Sequence, residues 1–144
     1  MATPAHCAYS FEVLHAALSN QPPPSLSRVE ALWAQYTNTS TTPSPPAPLF
    51  VTWTTSRARL RGCIGTFTPQ ALGPGLRSYA LSSALEDTRF APIAAGEVGR
   101  LAVQVTVLGE FSAGTHDARA WTPGRHGVRI AVGVGGGGGG GWGR

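Results

Sequence analysis

The sequence predicts an α+β fold in which an antiparallel sheet is packed on one face by two or three helices. Some segments repeat apolar residues at the spacing of an α-helix, whereas others alternate β-branched or aromatic residues with polar ones. Neighbouring strand-like segments are joined by short connections, which favour hairpins over the long crossovers of parallel sheets. The order helix, strand, strand, helix, strand, strand therefore indicates an antiparallel sheet with helices on one face.

The first helix is predicted for residues 4–19, because Pro4 suits a first turn and the proline run at 22–24 ends the helix. The apolar side chains on one face of its 3.6-residue period are those of Cys7, Phe11, Leu14 and Leu18. His6 and His15 do not have the i, i+4 spacing of a metal-binding pair. Both histidines are therefore expected to lie in solvent.

A second, shorter helix is predicted for residues 26–36, with Ser25 or Ser27 as its cap. This segment belongs to an insert at about 20–47. The last part of the insert is rich in Ser, Thr and Pro, a composition typical of a mobile linker.

Five further segments follow the insert, and the last of them is a short strand. Strands are predicted for residues 49–54 and 59–67, which form a hairpin across a short turn. A helix is predicted within 73–90. Valines that alternate with small or polar residues predict a half-buried strand at 101–111. The last strand is predicted at 126–132.

The chain has 144 residues, the length of one domain, and the domain is predicted to cover residues 4–132. Its 19 glycines and 12 prolines concentrate outside the apolar segments. The tail at 133–144 is nearly all glycine, which has no side chain to bury and much backbone entropy to lose. This tail is therefore expected to be disordered.

The charge and the cysteines argue against several classes of protein. The net charge of +4 comes from arginines that are scattered apart from those at 57–61, whereas a nucleic-acid footprint forms a stripe or patch. Cys7 and Cys63 form neither a disulfide framework nor the spacing of a zinc site, so no metal is predicted. No segment resembles a secretory leader or a membrane span. A nuclear or cytoplasmic protein without membrane contact is therefore expected.

The stretch RLRGCIGTFT, from Arg59 to Thr68, has the composition of a specialised strand. Alternation places Arg59, Arg61 and Cys63 on one face, and the residues of the other face are Leu60, Gly62 and Ile64. Gly62 is expected to allow a close approach of another element, and Gly65 to permit a bulge. The spacing of the two glycines fits neither a P-loop nor a dinucleotide fingerprint, so no cofactor is predicted.

Cys63 has two interpretations. A guanidinium on the same face would favour the thiolate, and His126 could act as its base if the fold brings the two together. Alternatively, Cys63 is a small buried residue, which is the commoner situation for a free cysteine.

Asp87, Arg89 and His126 also have two interpretations each. Asp87 and Arg89 could pair internally, for example Asp87 with Arg61, or could bind a polar ligand. His126 precedes Gly127 and could be a turn residue that enters a strand.

Four sequence blocks follow one another along the chain: PLFVTW at 48–53, LRGCIGTF at 60–67, ALEDTRFAPI at 84–93 and GRHGVRI at 124–130. In their order and approximate spacing these blocks resemble the AMMECR family. LRGCIG is the hallmark of the family, and CAYSFEVL at 7–14 is similar to its first helix. The resemblance implies an α+β fold with the hallmark motif at a groove between two lobes. It also implies a C-terminally truncated member with an incomplete second lobe.

The resemblance implies no particular reaction. Our main hypothesis is a regulatory or partner-binding module whose groove is framed by Arg61, Gly62, Cys63, Gly65, Asp87, Arg89 and His126. The groove would hold a small anionic ligand or a protein partner, and RNA is a further alternative. A different alternative is an enzyme with Cys63 as nucleophile and His126 as its base, so the question of catalysis stays open at this point.

Overall fold

The computed structural model describes residues 1–39, 44–109, 111, 117, 119–123 and 127. His126, the strand predicted at 126–132 and the glycine-rich tail at 133–144 therefore lie outside the described residues. The chain divides into two compact units, Met1–Glu110 and Phe111–Arg144. In the second unit the backbone N–H of Ala120 donates to the carbonyl oxygen of Asp117 at 3.1 Å, which closes a turn.

The first unit contains three α-helices and three strands in its described part. They are α1 (Pro4–Leu18), α2 (Leu26–Thr37), β1 (Ala47–Thr55), β2 (Leu60–Gln70), α3 (Leu72–Leu81) and β3 (Leu101–Val107). A π-helical turn, Ser82–Glu86, continues α3, and a 3-10 helix, Ala95–Arg100, leads into β3. The sheet is antiparallel with the strand order β2-β1-β3. These observations confirm the predicted α+β class.

The core lies between the sheet and the helices α1 and α3. Leu49, Val51 and Trp53 alternate along the central strand β1 and are inaccessible to solvent. Leu14 of α1 and Leu76 of α3 belong to the same buried cluster. We call the face of the sheet that carries these β1 residues the inner face, and the opposite one the outer face.

The expectation that His6 lies in solvent is wrong, because the side chain of His6 is 1% exposed. His6 occupies the third position of α1, where its Nδ1 accepts a hydrogen bond from the N–H of Thr3 at 3.1 Å. Its Nε2 lies 3.3 Å from Oε1 of Glu30 on α2. His6 therefore caps α1 and joins it to α2, whereas His15 is exposed, as predicted.

A bulge in β2 changes the predicted sidedness of the motif. Gly62 pairs with Trp53, but the next pair is Leu60 with Thr54, so Arg61 is an extra residue on β2. Leu60 is thereby shifted to the outer face, where it is 42% exposed, and the prediction that it shares a face with Gly62 is wrong. Gly65 itself keeps its regular pairing with Phe50, and a second irregularity follows Thr66, between the pairs Leu49–Thr66 and Ala47–Gln70.

Candidate functional site

The inner face of the motif is closed by the π-helical turn. A Cβ at Gly62 would overlap the carbonyl oxygen of Ser83, so only glycine permits this contact. The turn begins where side chains hydrogen bond to helical carbonyl oxygens, and the Ser83 hydroxyl donates to that of Tyr79 at 2.6 Å. The carbonyl of Ala80 accepts from Nε1 of Trp53 at 3.1 Å and from the Ser83 hydroxyl at 3.3 Å. Side chains that occupy a helical carbonyl in this way widen the local turn.

Asp87 follows directly after the π-helical turn and binds the backbone of the motif. Its Oδ2 accepts the N–H of Cys63 at 2.9 Å and Nη2 of Arg89 at 2.7 Å. Its Oδ1 accepts Nε of Arg89 at 2.9 Å. Nη2 of Arg89 also donates to the carbonyl oxygen of Cys63 at 3.0 Å. The backbone N–H and C=O of Cys63 are therefore both satisfied by the Asp87–Arg89 pair, at the outward edge of the sheet.

The charges of this pair stabilise each other. The pKa of the Asp87 carboxyl lies well below its ordinary value, first because it accepts from the Arg89 side chain and then because it accepts from the Cys63 N–H. The hydrogen bond to Asp87 raises the pKa of Arg89. Asp87 is buried, whereas the Arg89 side chain is 57% exposed. The pair is therefore anchored at Asp87 and accessible at Arg89.

Arg61 belongs to a different network from Cys63. Its Nε and Nη2 donate to the two carboxylate oxygens of Glu97 at 2.9 Å each, and Nη1 donates to the carbonyl oxygen of Ala91 at 2.7 Å. The suggested pairing of Arg61 with Asp87 is wrong, since each has another partner. Arg61 therefore fastens β2 to the 3-10 helix.

Cys63 lies on the outer face beside Thr52 of β1. The thiol Sγ lies 3.1 Å from the Thr52 Oγ1. Thr52 and Cys63 are directly paired across the two strands. The backbone N–H of Cys63 points away from β1, so this is a pair without mutual backbone hydrogen bonds, in which cross-strand side chains lie closest together. Cys63 is half-buried. Among the described residues, no imidazole or carboxylate hydrogen bonds to this sulfur, and His126 lies outside them.

The structure thus brings three of the predicted residues, Cys63, Asp87 and Arg89, into one hydrogen-bonded group. Gly62 and Gly65 lie on opposite faces of the same strand, Gly62 against Ser83 and Gly65 against the ring of Phe50. Sequence reasoning missed Thr52 and Glu97. Thr52 could have been found from the predicted hairpin, because its register pairs a residue of β1 with Cys63.

No metal site or membrane span is found in the part of the chain that the structure describes. There, His, Cys, Asp and Glu side chains do not gather in groups of three or more around a possible ion. Within the same ranges, the helices are too short or too polar to cross a membrane.

Comparison with known proteins adds a family to this geometry. A family model described as AMMECR1 matches residues 7–139. An uncharacterised protein of Arabidopsis thaliana is 41% identical over 111 residues, which are 70% of this chain and 50% of the plant protein. An uncharacterised Schizosaccharomyces pombe protein is 34% identical over 87% of this chain and 60% of its own length. The chain thus spans about half the length of these relatives.

A solved structure is also similar to the chain. The crystal structure of an uncharacterised protein from Pyrococcus horikoshii has 23% identity and a TM-score of 0.46, and the match covers 71% of this chain and 50% of that one.

Proposed function

Because the chain belongs to the AMMECR1 family, we propose that its hallmark strand is the contact surface of a non-catalytic module that binds an acidic segment of a partner protein. The observation that carries this proposal is the state of Arg89. Three hydrogen bonds to Asp87 and Cys63 hold its guanidinium in place, yet more than half of the side chain is exposed. Its Nη1 has no hydrogen-bond partner among the described residues. A fixed guanidinium with an unused donor is suited to a carboxylate.

The outer face supports a protein segment as the partner. Leu60 and Phe67 are each 42% exposed on β2, and the ring of Phe67 packs against Phe50 at 5.2 Å between centroids. Cys63 and Thr52 lie between these apolar side chains along the strand. An extended segment with apolar residues and a carboxylate would match this succession of contacts and the cation beside it.

The enzyme alternative has less support. A nucleophilic cysteine needs a base within hydrogen-bond reach, and the described neighbour of Sγ is the hydroxyl of Thr52. Arg61 does not supply a charge through a hydrogen bond to the thiol, because its guanidinium binds Glu97 and backbone carbonyls. Binding is therefore the function that this arrangement serves best.

A selection of displayed seven-residue peptides against the full chain tests the proposal. We expect the enriched peptides to combine Asp or Glu with apolar residues. The affinity of the chain for these peptides should fall about tenfold on the substitution Arg89→Lys. The single ammonium group of lysine cannot make two parallel hydrogen bonds to the Asp87 carboxylate and also donate to the peptide. Arg57→Lys, a change of an exposed arginine in the hairpin turn, is the matched control and should leave the affinity unchanged.

Two results would contradict this proposal. One is the enrichment of peptides that lack an acidic residue, or of peptides that bind Arg89→Lys as tightly as they bind the unmodified chain. The other is displacement of the peptides by single-stranded RNA with an affinity that falls steeply with salt, which would favour the RNA alternative.

A further inference from the structure

The first turns of α2 and α3 border a cavity that is wide open to solvent and has a volume of about 820 Å³, within the size range of small-molecule sites. Its walls include Tyr9, Leu26, Glu30, Leu72, Arg77 and Leu81. Cys63 and Arg89 do not line it, so it is separate from the proposed partner surface.

Two helix N-termini meet at this cavity. A Cβ at Gly73 in the first turn of α3 would lie 3.6 Å from the Cβ of Leu26 in the first turn of α2. In α2 the hydroxyl of Ser25 accepts the N–H of Arg28 at 3.3 Å, whereas α3 begins without a side-chain cap. Since Pro74 has no N–H, the first-turn donors that α3 can offer are those of Leu72 and Gly73. Such donors, together with the helix dipoles, favour a negative charge in front of them.

Tyr9 gives a second, independent indication of a ligand. Its side chain is 4% exposed, and its hydroxyl makes no hydrogen bond to any residue that the structure describes. Among these residues, no side-chain nitrogen or oxygen is both sealed from solvent and without a partner. The Tyr9 hydroxyl must therefore keep some accessible surface, and Tyr9 lines the cavity. Because this hydroxyl is open to the cavity and no described residue engages it, a bound molecule could accept from it in place of water.

The charges around the cavity are those of Arg77 and Glu30, and they are not equally available. The carboxylate of Glu30 is engaged by the imidazole of His6. Because Nδ1 of His6 accepts from the Thr3 N–H, the ring proton is on Nε2 and points to Glu30. Arg77 is exposed and has no ion-pair partner among the described residues. Arg77 is therefore the unpaired charge at the cavity, whereas the Glu30 carboxylate keeps its negative charge and shares one oxygen with His6.

The Tyr9 hydroxyl remains a donor at neutral pH. Burial raises the pKa of Tyr9 above its ordinary value, and the nearby charge of Arg77 offsets only part of this effect. A protonated hydroxyl and a guanidinium therefore face the same space.

We propose that this cavity binds a small organic molecule that carries an oxyanion on an apolar body. The oxyanion would accept from the Tyr9 hydroxyl, the first-turn N–H groups and Arg77. The apolar body would pack on Leu26, Leu72 and Leu81, which form the apolar part of the wall. This site does not depend on the proposed binding of a partner protein.

Phenyl phosphate is a suitable probe, with phenol and inorganic phosphate as its two halves. Calorimetric titration of the full chain in a buffer without phosphate should show saturable binding of phenyl phosphate, tighter than that of either half. Tyr9→Phe and Arg77→Gln should each weaken this binding about tenfold, since each removes a donor to a charged group. Tyr36→Phe and Arg57→Gln change exposed residues away from the cavity and should leave it unchanged.

Tyr9→Phe also separates binding from folding. Since the hydroxyl has no partner in the described structure, its removal should leave the melting temperature unchanged. Equal affinity of Tyr9→Phe and the unmodified chain would overturn the proposal, as would the absence of saturable binding. Arg89→Lys should leave the binding of phenyl phosphate unchanged, which distinguishes a failure at this cavity from a failure at the partner surface.

Discussion

Gly62 and Cys63 are neighbours in the LRGCIG segment of β2, but their side-chain positions face opposite environments. On the inner face, Gly62 lies against the carbonyl of Ser83 with no room for a methyl group. On the outer face, the side chain of Cys63 is half-buried and lies beside the hydroxyl of Thr52. Gly62 therefore contacts a backbone group that cannot easily move, whereas Cys63 contacts a side chain that can adjust.

This difference separates the structural requirements of the motif from its capacity for binding. Gly62 lets the π-helical turn approach β2, and that approach brings Asp87 to the edge of the strand. Asp87 in turn fixes Arg89, the cation of the proposed contact surface. Contacts on the inner face therefore position Asp87 and Arg89, which do not lie on that face themselves. Substitutions on the inner face should cost stability, and substitutions on the outer face should mainly change binding.

The largest effect is expected for Gly62→Ala. The new Cβ would overlap a backbone carbonyl, so β2 and the π-helical turn would have to move apart. We expect the free energy of unfolding to fall by about 3 kcal/mol or more, measured by chemical denaturation. Gly96→Ala is the matched control, because a Cβ at Gly96 has nothing within 4 Å. A change in stability as small as that of the control would contradict the close contact.

A smaller effect is expected for Asp87→Asn, which keeps the shape of the side chain but removes its charge. The melting temperature at neutral pH should fall by roughly 5 °C, since Arg89 and the Cys63 N–H lose a charged acceptor. Glu12→Gln, at an exposed position of α1, should have almost no effect and serves as control. If Asp87→Asn melts like this control, the ion pair does not stabilise the edge of the sheet.

The contribution of Asp87 should depend on pH in a defined direction. Its pKa is lower in the folded protein than in the unfolded chain, chiefly because of Arg89. The stabilisation is therefore fully present above the unfolded pKa of about 3.9 and is lost as the pH falls towards the folded pKa. The difference in melting temperature between the unmodified chain and Asp87→Asn should narrow below about pH 4. A difference that stays constant between pH 7 and pH 2 would contradict this assignment.

The fold class and most element positions could be predicted from the sequence because periodicity reports on burial. The repeat of Cys7, Phe11 and Leu18 identified α1, since these side chains pack against the core. Periodicity does not report specific polar contacts. His6 was therefore placed in solvent, although it is buried by a cap and by Glu30 of another helix.

The candidate site could be predicted only in part, because its partners depend on the bulge and the turn. The sequence showed that Arg61, Asp87 and Arg89 had to be paired or bound, but it could not show how. The extra residue at Arg61 turns its guanidinium to Glu97, and the π-helical turn leaves Asp87 beside Arg89. Neither irregularity has a strong signal in local composition, since the bulge depends on the register of two strands and the π-helical turn on contacts of the folded chain.

The smallest effect on stability is expected for Cys63→Ser. Serine can keep the hydrogen bond to Thr52, so the free energy of unfolding should change by less than about 1 kcal/mol. A thiol-reactive probe at pH 7 should label Cys63 at a rate within about tenfold of that of Cys7, as expected for ordinary half-buried thiols. The single variants Cys63→Ser and Cys7→Ser assign the two rates. Labelling of Cys63 that is a hundredfold or more faster than that of Cys7 would indicate an activated thiolate. The outer face would then carry a nucleophile. This result would favour the enzyme alternative over a binding role for the outer face.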